Sequence, residues 1–270
     1  MSSLLTKRAR CEAHAEKLRI AVAPHKYLPP EILAEVFLHC LHNDPLDGRL
    51  EIWECSLDPL PAPWVLSHVC SRWRCIALGE KRLWNSIYYE GNSRRHALLL
   101  EAFKRGGQST LQLEAKESRE IHYQTFFREV VPPQSHRITL LLLDVTRATF
   151  QDFLLLPSGV FDELECIKLH IRSAYEYSFV PQAPATVFQG APQLRGVTIP
   201  LLKNYSPLDL ALPWDQLTYL ALIPKSMGLA DSFKVLSTNL CECYFSLCPD
   251  NEPPTVVPPA SIQLPHLRKL

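Results

Sequence analysis

Cysteine and histidine side chains at short spacing are the groups in this chain best suited to metal binding or nucleophilic chemistry. The stretch HCLH covers residues 39–42, and the stretch CECYFSLC covers residues 241–248. A zinc site needs four such ligands, and a reactive cysteine needs a neighbouring group that lowers its pKa. Cys40 instead fits an apolar helix stripe, Cys243 fits an inward strand position, and no fourth ligand lies nearby in sequence. These residues therefore predict neither a metal site nor a nucleophile.

Motifs and composition also give no indication of an enzyme, a nucleic-acid-binding protein or a membrane protein. The chain has no G-x-S-x-G, G-x-x-x-x-G-K or G-x-G-x-x-G motif, and it has nine glycines in 270 residues. Its 28 basic and 28 acidic side chains balance, which disfavours binding to nucleic acid or to an anionic membrane. It has no signal peptide or membrane-length apolar run, and its nine cysteines are scattered. We expect a non-catalytic protein without a cofactor, in a reducing compartment, cytoplasmic or nuclear.

The N-terminal 41 residues predict two helices. Residues 4–22 carry Leu4, Cys11 and Leu18 seven apart, which fits either a weak coiled coil or a solvated helix leaning on a neighbour. The stretch YLPPEILAEVFLHCL at residues 27–41 predicts a short amphipathic helix, with Pro30 in its first turn. A helix of about eleven residues is not stable alone in water, so its apolar stripe must be covered by this chain or by a second protein.

A long connection and another helix follow. Residues 42–63 are rich in turn formers, with a possible short strand at 50–53. The stretch WVLSHVCSRWRCIALGEKRLW at residues 64–84 predicts one helix with a single apolar face. Gly79 fits a left-handed cap at the end of this helix.

The motifs LPPEILAEVFLHCL, PWVLSHVCSRWRCIAL and RLWNSI, in that order, resemble an F-box of the kind found in large fungal families. This resemblance implies that residues 27–90 dock on a Skp-family adaptor and, through it, on a cullin. The residues it assigns to adaptor binding are Leu28, Pro29, Pro30, Glu31, Ile32, Leu33, Val36, Phe37, Leu41, Val69, Cys70 and Trp73. Among them we expect Leu28, Pro29, Ile32 and Leu33 to face the adaptor, and Val69 and Trp73 to pack inside the module.

The rest of the chain carries a repeated pattern. The spacing L-x-x-L-x-L, allowing other apolar residues, begins at positions 138, 164, 194, 217 and 240, and less well at 108. Steps in the twenties are typical of leucine-rich repeats, which stack one parallel strand per repeat. An antiparallel or mixed α/β sheet with coincidental spacing is the alternative. A helix over residues 93–107 would lie on the outer side of the sheet.

These patterns predict an α+β protein, with a small all-α F-box module followed by an α/β leucine-rich-repeat-like solenoid. We divide the chain into an N-terminal helix (1–26), the F-box (27–90) and the repeat domain (91–270), which we expect to be incomplete at its C-terminal end. Strand alternation turns one set of side chains toward the open face of the sheet, where a target protein would bind. They are Gln112, Glu114, Lys168, His170, Thr198, Tyr219, Glu242 and Tyr244.

The predicted function is substrate recognition in a Skp–cullin–F-box ubiquitin ligase. An F-box scaffold that acts outside a ligase is the main alternative, and an enzyme with an unrecognised site is a third. Adaptor pull-down would separate the first two from the third, and cullin recovery with target turnover would separate the first from the second.

Overall fold

The structure is a computed structural model that describes residues 2–21, 27–41, 57, 62–91, 93–117, 126–172, 186–200, 210–223, 239–245 and 265–268. The α-helices in these ranges are α1 (Ser2–Ala21), α2 (Pro30–His39), α3 (Leu66–Val69), α4 (Ser71–Gly79), α5 (Ser93–Gly106) and α6 (Arg147–Leu154). The predicted strand at 50–53 lies outside the described residues.

Helix α1 confirms the prediction of a helix over residues 4–22, but it does not lean on a neighbour. Its side chains from residue 5 to residue 19 are all exposed, including Leu5 and Leu18. Ion pairs along the helix join Arg8 to Glu12 and Arg19 to Glu16. Exposed pairs at this spacing each contribute only a few tenths of a kcal/mol.

The prediction of a single helix between residue 64 and Gly79 is wrong, because Cys70 interrupts it, although the helix does end at Gly79 as predicted. Cys70 is extended, with φ −157° and ψ 171°, and its sulfur accepts a hydrogen bond from the backbone N–H of Trp73 at 3.5 Å. It thereby ends α3 and caps α4. The left-handed cap at Gly79 is also wrong, because the positive-φ glycines of the described chain lie elsewhere. The chain leaves α4 through extended Glu80, whose carboxylate caps the next turn, Lys81–Trp84.

In the described residues, seven parallel strands form one sheet in which each strand pairs with the next in sequence. They are β1 (Ser86–Tyr89), β2 (Leu111–Lys116), β3 (Ile138–Thr146), β4 (Cys166–Arg172), β5 (Gly196–Pro200), β6 (Tyr219–Ile223) and β7 (Glu242–Phe245). The mixed helix-and-strand class is confirmed, and an antiparallel arrangement of these strands is excluded. The sequence reading missed β1, so the sheet begins inside the segment 27–90.

The register of the sheet aligns the repeated apolar positions into buried rows. One row crosses all seven strands and is at most 1% exposed: Ile87, Leu113, Leu141, Ile167, Val197, Leu220 and Cys243. The next row includes Tyr89, Ala115, Leu143 and Leu169. A near-continuous apolar face of this kind must be covered, and it forms the core of the molecule.

Just before several strands, a backbone N–H donates to the carbonyl at the equivalent position of the preceding segment. Arg195 N–H donates to Glu165 O, Thr218 N–H to Arg195 O, and Cys241 N–H to Thr218 O, at 2.8–2.9 Å. The series continues with Arg268 N–H, which donates to Cys241 O at 2.7 Å. Each of these segments therefore begins by bonding to the matching position of the segment before it.

Phenylalanine rings cover the buried face of the sheet. Phe153 of α6 lies at the centre of this cluster, with ring centroids 5.4 Å from Phe127, 6.1 Å from Phe161 and 5.7 Å from Phe188. All four side chains are fully buried, and α6 packs against β3 and β4. These large rings supply much of the apolar bulk that packs on this side of the sheet.

Candidate functional site

Helix α2 divides its apolar side chains between the core and the surface. Pro30 occupies the first turn and Glu31 the positive end of the helix dipole, as the sequence predicts. Leu33 is 1% exposed and Phe37 is fully buried, with the Phe37 ring 4.8 Å from the ring of Trp73 on α4. These contacts fix α2 against α4.

The opposite side of α2 exposes apolar side chains one helical turn apart. Ile32 is 49% exposed and Val36 is 44% exposed. Val65 and Val69, again four residues apart at α3, are 40% and 57% exposed. Within the described chain these four side chains are left largely to solvent, which marks the two helices as a candidate docking surface.

The structure sorts the predicted adaptor residues into three groups. Exposed residues are Pro29, Pro30, Glu31, Ile32, Val36, Val69 and Cys70; half-buried residues are Leu28, Leu41 and Trp73; buried residues are Leu33 and Phe37. The expectation that Leu33 faces outward is wrong, because it follows the buried side of α2. The expectation that Val69 is internal is also wrong, because α3 ends there. Arg72 holds Leu28 by donating a hydrogen bond to its carbonyl.

Two tryptophans join the helices to the sheet. The rings of Trp64 and Trp84 meet edge to face at 4.8 Å, and the Trp84 indole N–H donates to Ala77 O at 2.9 Å. The Arg105 guanidinium of α5 lies 4.6 Å from both rings, and its Nε is 3.0 Å from a Glu101 carboxylate oxygen. Stacking of this kind adds to the burial of both rings. The helical segment and the start of the sheet therefore share one core.

The open face of the sheet brings most of the predicted target-binding residues into two cross-strand rows. Gln112, Tyr219 and Glu242 belong to the first row, together with Ser86, Leu140, Cys166 and Gly196. Glu114, Lys168, Thr198 and Tyr244 belong to the second row, together with Tyr88, Leu142 and Ala221. Most of these side chains are partly exposed. Sequence reasoning missed the additional members, although the same alternation identifies them.

An aromatic cluster occupies the β6–β7 end of this face. The rings of Tyr219 and Tyr244 are 5.7 Å apart, and the Tyr244 hydroxyl donates to a Glu242 carboxylate oxygen at 3.3 Å. Burial raises the pKa of Tyr219, and the nearby Thr198 hydroxyl opposes this rise. Burial also lowers the pKa of Lys168, two strands away. The cluster offers ring faces, hydroxyls and a carboxylate to a bound chain.

An ionic cluster lies where β3 and β4 end. Asp144 Oδ1 is 3.1 Å from His170 Nδ1 and 2.8 Å from Arg172 Nε. Arg172 also donates to Asp144 O at 3.0 Å and to Glu117 O. Sequence reasoning named His170 alone, because Asp144 and Arg172 become its neighbours only through strand pairing. The acceptors and donors in this cluster largely satisfy one another, which links β3 and β4 at this end of the sheet.

Of the cysteine and histidine groups that opened the sequence analysis, the structure describes His39, Cys40, Cys241 and Cys243. Burial raises the pKa of Cys243 to about 11, which keeps its thiol protonated at neutral pH. His42 and Cys248 lie outside the described residues. In the described parts of the chain, no group of three or more Cys, His, Asp or Glu side chains could hold a metal ion, and no helix is long and apolar enough to cross a membrane.

Comparison with known proteins gives no relative for this chain. No protein-family model, curated protein or solved structure matches it.

Proposed function

We propose that this chain is the substrate receptor of a Skp–cullin–F-box ubiquitin ligase. Residues 27–90 act as the F-box and bind a Skp-family adaptor, and the open face of the sheet binds a target protein. The observation that carries the proposal is the presence of two unlike surfaces on one core. One is apolar and consists of exposed Ile32 and Val36 on α2 with exposed Val65 and Val69 at α3, and the other is the polar and aromatic sheet face.

The apolar surface suits a constant partner. Burying apolar side chains contributes roughly 25 cal/mol for each Å² removed from water, without requiring a particular hydrogen-bond pattern. Buried Leu33 and Phe37 fix α2 on the core, so the helix that carries Ile32 and Val36 does not have to become ordered on binding. This preorganisation supports adaptor docking by α2.

The sheet suits a variable partner, and we propose that it is a leucine-rich-repeat-like solenoid. Sequential parallel pairing and the hydrogen bonds from Arg195 to Arg268 support one strand per repeat. Tyrosines such as Tyr219 and Tyr244 combine a large contact area with a polar tip, and charged neighbours supply specificity.

Purification of the full chain with a Skp-family adaptor and a cullin tests this function. We expect all three proteins to elute as one complex, and a protein bound to the sheet face to be degraded only when the adaptor is present. Recovery of the adaptor without the cullin would instead favour an F-box scaffold outside a ligase. Failure to recover the adaptor at all would contradict both.

A further inference from the structure

A cavity of about 360 Å³ lies where the end of α5 meets the turn Pro132–Arg137. Its walls include Phe103, Lys104, His136 and Arg137. Neither of the two surfaces described above includes this cavity. Its volume is in the range of small-molecule sites.

Arg137 places a buried positive charge in the wall of the cavity. The residue is 4% exposed, and its guanidinium donates to Gln134 Oε1 at 2.8 Å, to Ser109 O at 2.9 Å and to Phe103 O at 3.3 Å. All three acceptors are neutral. An arginine remains charged at any ordinary pH, so these bonds solvate the charge without cancelling it.

Two lysines add to this charge. Lys104 lines the cavity, and Lys81 Nζ lies 3.8 Å from the position that a Cβ on Gly107, another lining residue, would occupy. Two carboxylates on the elements that carry these lysines already pair with other arginines. Glu101 pairs with Arg105 at 3.0 Å, and Glu80 pairs with Arg82 at 3.0 Å.

The charges in this region do not balance. Among the described residues, no Asp or Glu lines the cavity, while Lys81, Lys104 and Arg137 bring three positive charges. The C-terminal end of α5 opposes them with only about half an elementary charge. A surplus of roughly two and a half positive charges remains.

We propose that this cavity binds the phosphate group of a small molecule. A phosphate dianion matches the surplus charge, and lysine and arginine donors are the usual ligands of its oxygens. The His136 ring also lines the cavity, with its Nε2 3.1 Å from Gln108 Oε1. This inference is independent of the adaptor and target proposals.

Isothermal titration of the full chain with inorganic phosphate, at constant ionic strength, tests the proposal. We expect saturable binding at one site. The double variant Lys81→Gln with Lys104→Gln should weaken that binding about a hundredfold, since each charged hydrogen bond lost weakens binding roughly tenfold. Lys104→Gln alone should weaken it about tenfold. The matched control Lys7→Gln with Lys17→Gln removes two exposed lysines from α1 and should leave binding unchanged.

Three results would overturn the proposal. The first is that binding does not saturate up to about 10 mM phosphate. Any affinity would then be weaker than millimolar. The second is equal binding by the lysine double variant and the wild type, which would place phosphate elsewhere. The third is equally tight binding of malonate, which would assign the cavity to carboxylates. Melting in phosphate-free buffer confirms that each variant is folded.

Discussion

In α2, buried and exposed apolar side chains alternate within ten residues, whereas the sheet keeps its apolar rows on one face and a mixed polar face opposite. Leu33 and Ile32 are neighbours in sequence, yet they are 1% and 49% exposed. Along β4, by contrast, Ile167 and Leu169 are buried, while Lys168 between them is half-buried. The helix therefore exposes apolar area that a partner could cover. The open face of the sheet exposes side chains of several chemical types.

The largest effect should come from the core of the sheet. Phe153→Ala removes a fully buried ring that contacts Phe127, Phe161 and Phe188. We expect the free energy of unfolding to fall by about 3–5 kcal/mol, as measured by urea denaturation. Leu155→Ala, at the exposed end of the same helix, is the control and should change it by less than about 0.5 kcal/mol. Equal effects of the two changes would contradict the packing described for α6.

The next largest effect separates the two sides of α2. Leu33→Ala should destabilise the chain by about 2–5 kcal/mol, because it opens a cavity beside Phe37. Ile32→Ala should cost less than about 1 kcal/mol, because half of that side chain is already exposed. Thermal melting of both variants measures the difference, with Leu33→Ala expected to lower Tm by roughly 5–15 °C. A larger loss for Ile32→Ala than for Leu33→Ala would reverse the assignment of the two sides.

A smaller effect on stability should depend on pH, and it tests the burial of Cys243 in the inward row of the sheet. Burial raises the pKa of the Cys243 thiol from 9.0 to about 11, so the folded chain holds this proton longer than the unfolded chain does. The stabilisation is complete below pH 9 and is lost as pH rises toward 11, by about 2 kcal/mol. Urea denaturation of the wild type and of Cys243→Val across this range should show a steeper decline for the wild type. Parallel declines would indicate that Cys243 is not buried.

The smallest effect on stability should come from the open face. Tyr244→Ala removes a ring that is 39% exposed, and we expect the free energy of unfolding to change by less than about 1 kcal/mol. The same change should release a bound target while leaving adaptor recovery intact, since the two surfaces are distinct. Co-purification of target and adaptor in one experiment measures both. Loss of both together would show that the two surfaces are not independent.

Much of the sheet could be predicted from sequence, because each of β2 to β7 contains two or three apolar residues at the spacing that alternation requires. Strand β1 was missed because SIYY is short and follows a helical motif directly. The break at Cys70 was missed because cysteine is not a usual helix cap, although its sulfur can accept a weak hydrogen bond.

It is harder to predict from sequence which candidate side chains are buried and which are brought together. Ile32 and Leu33 both fall within the wide apolar stripe of α2, and periodicity alone does not decide which of two adjacent residues points inward. Only the position of Trp73 against Phe37 decides it. Likewise, the grouping of Asp144 with His170 depends on strand register, which links residues 26 apart in sequence.

The double variant Ile32→Asp with Val36→Asp tests the central claim most directly. Both side chains are about half exposed, so the charges can be solvated in the free chain, whereas they would be buried against an adaptor. We expect binding to a purified Skp-family adaptor to weaken at least about a thousandfold while Tm stays within roughly 3 °C. Leu5→Asp with Leu18→Asp places two charges on exposed apolar positions of α1 and should leave adaptor binding unchanged. Undiminished adaptor binding by the α2 double variant would contradict the account.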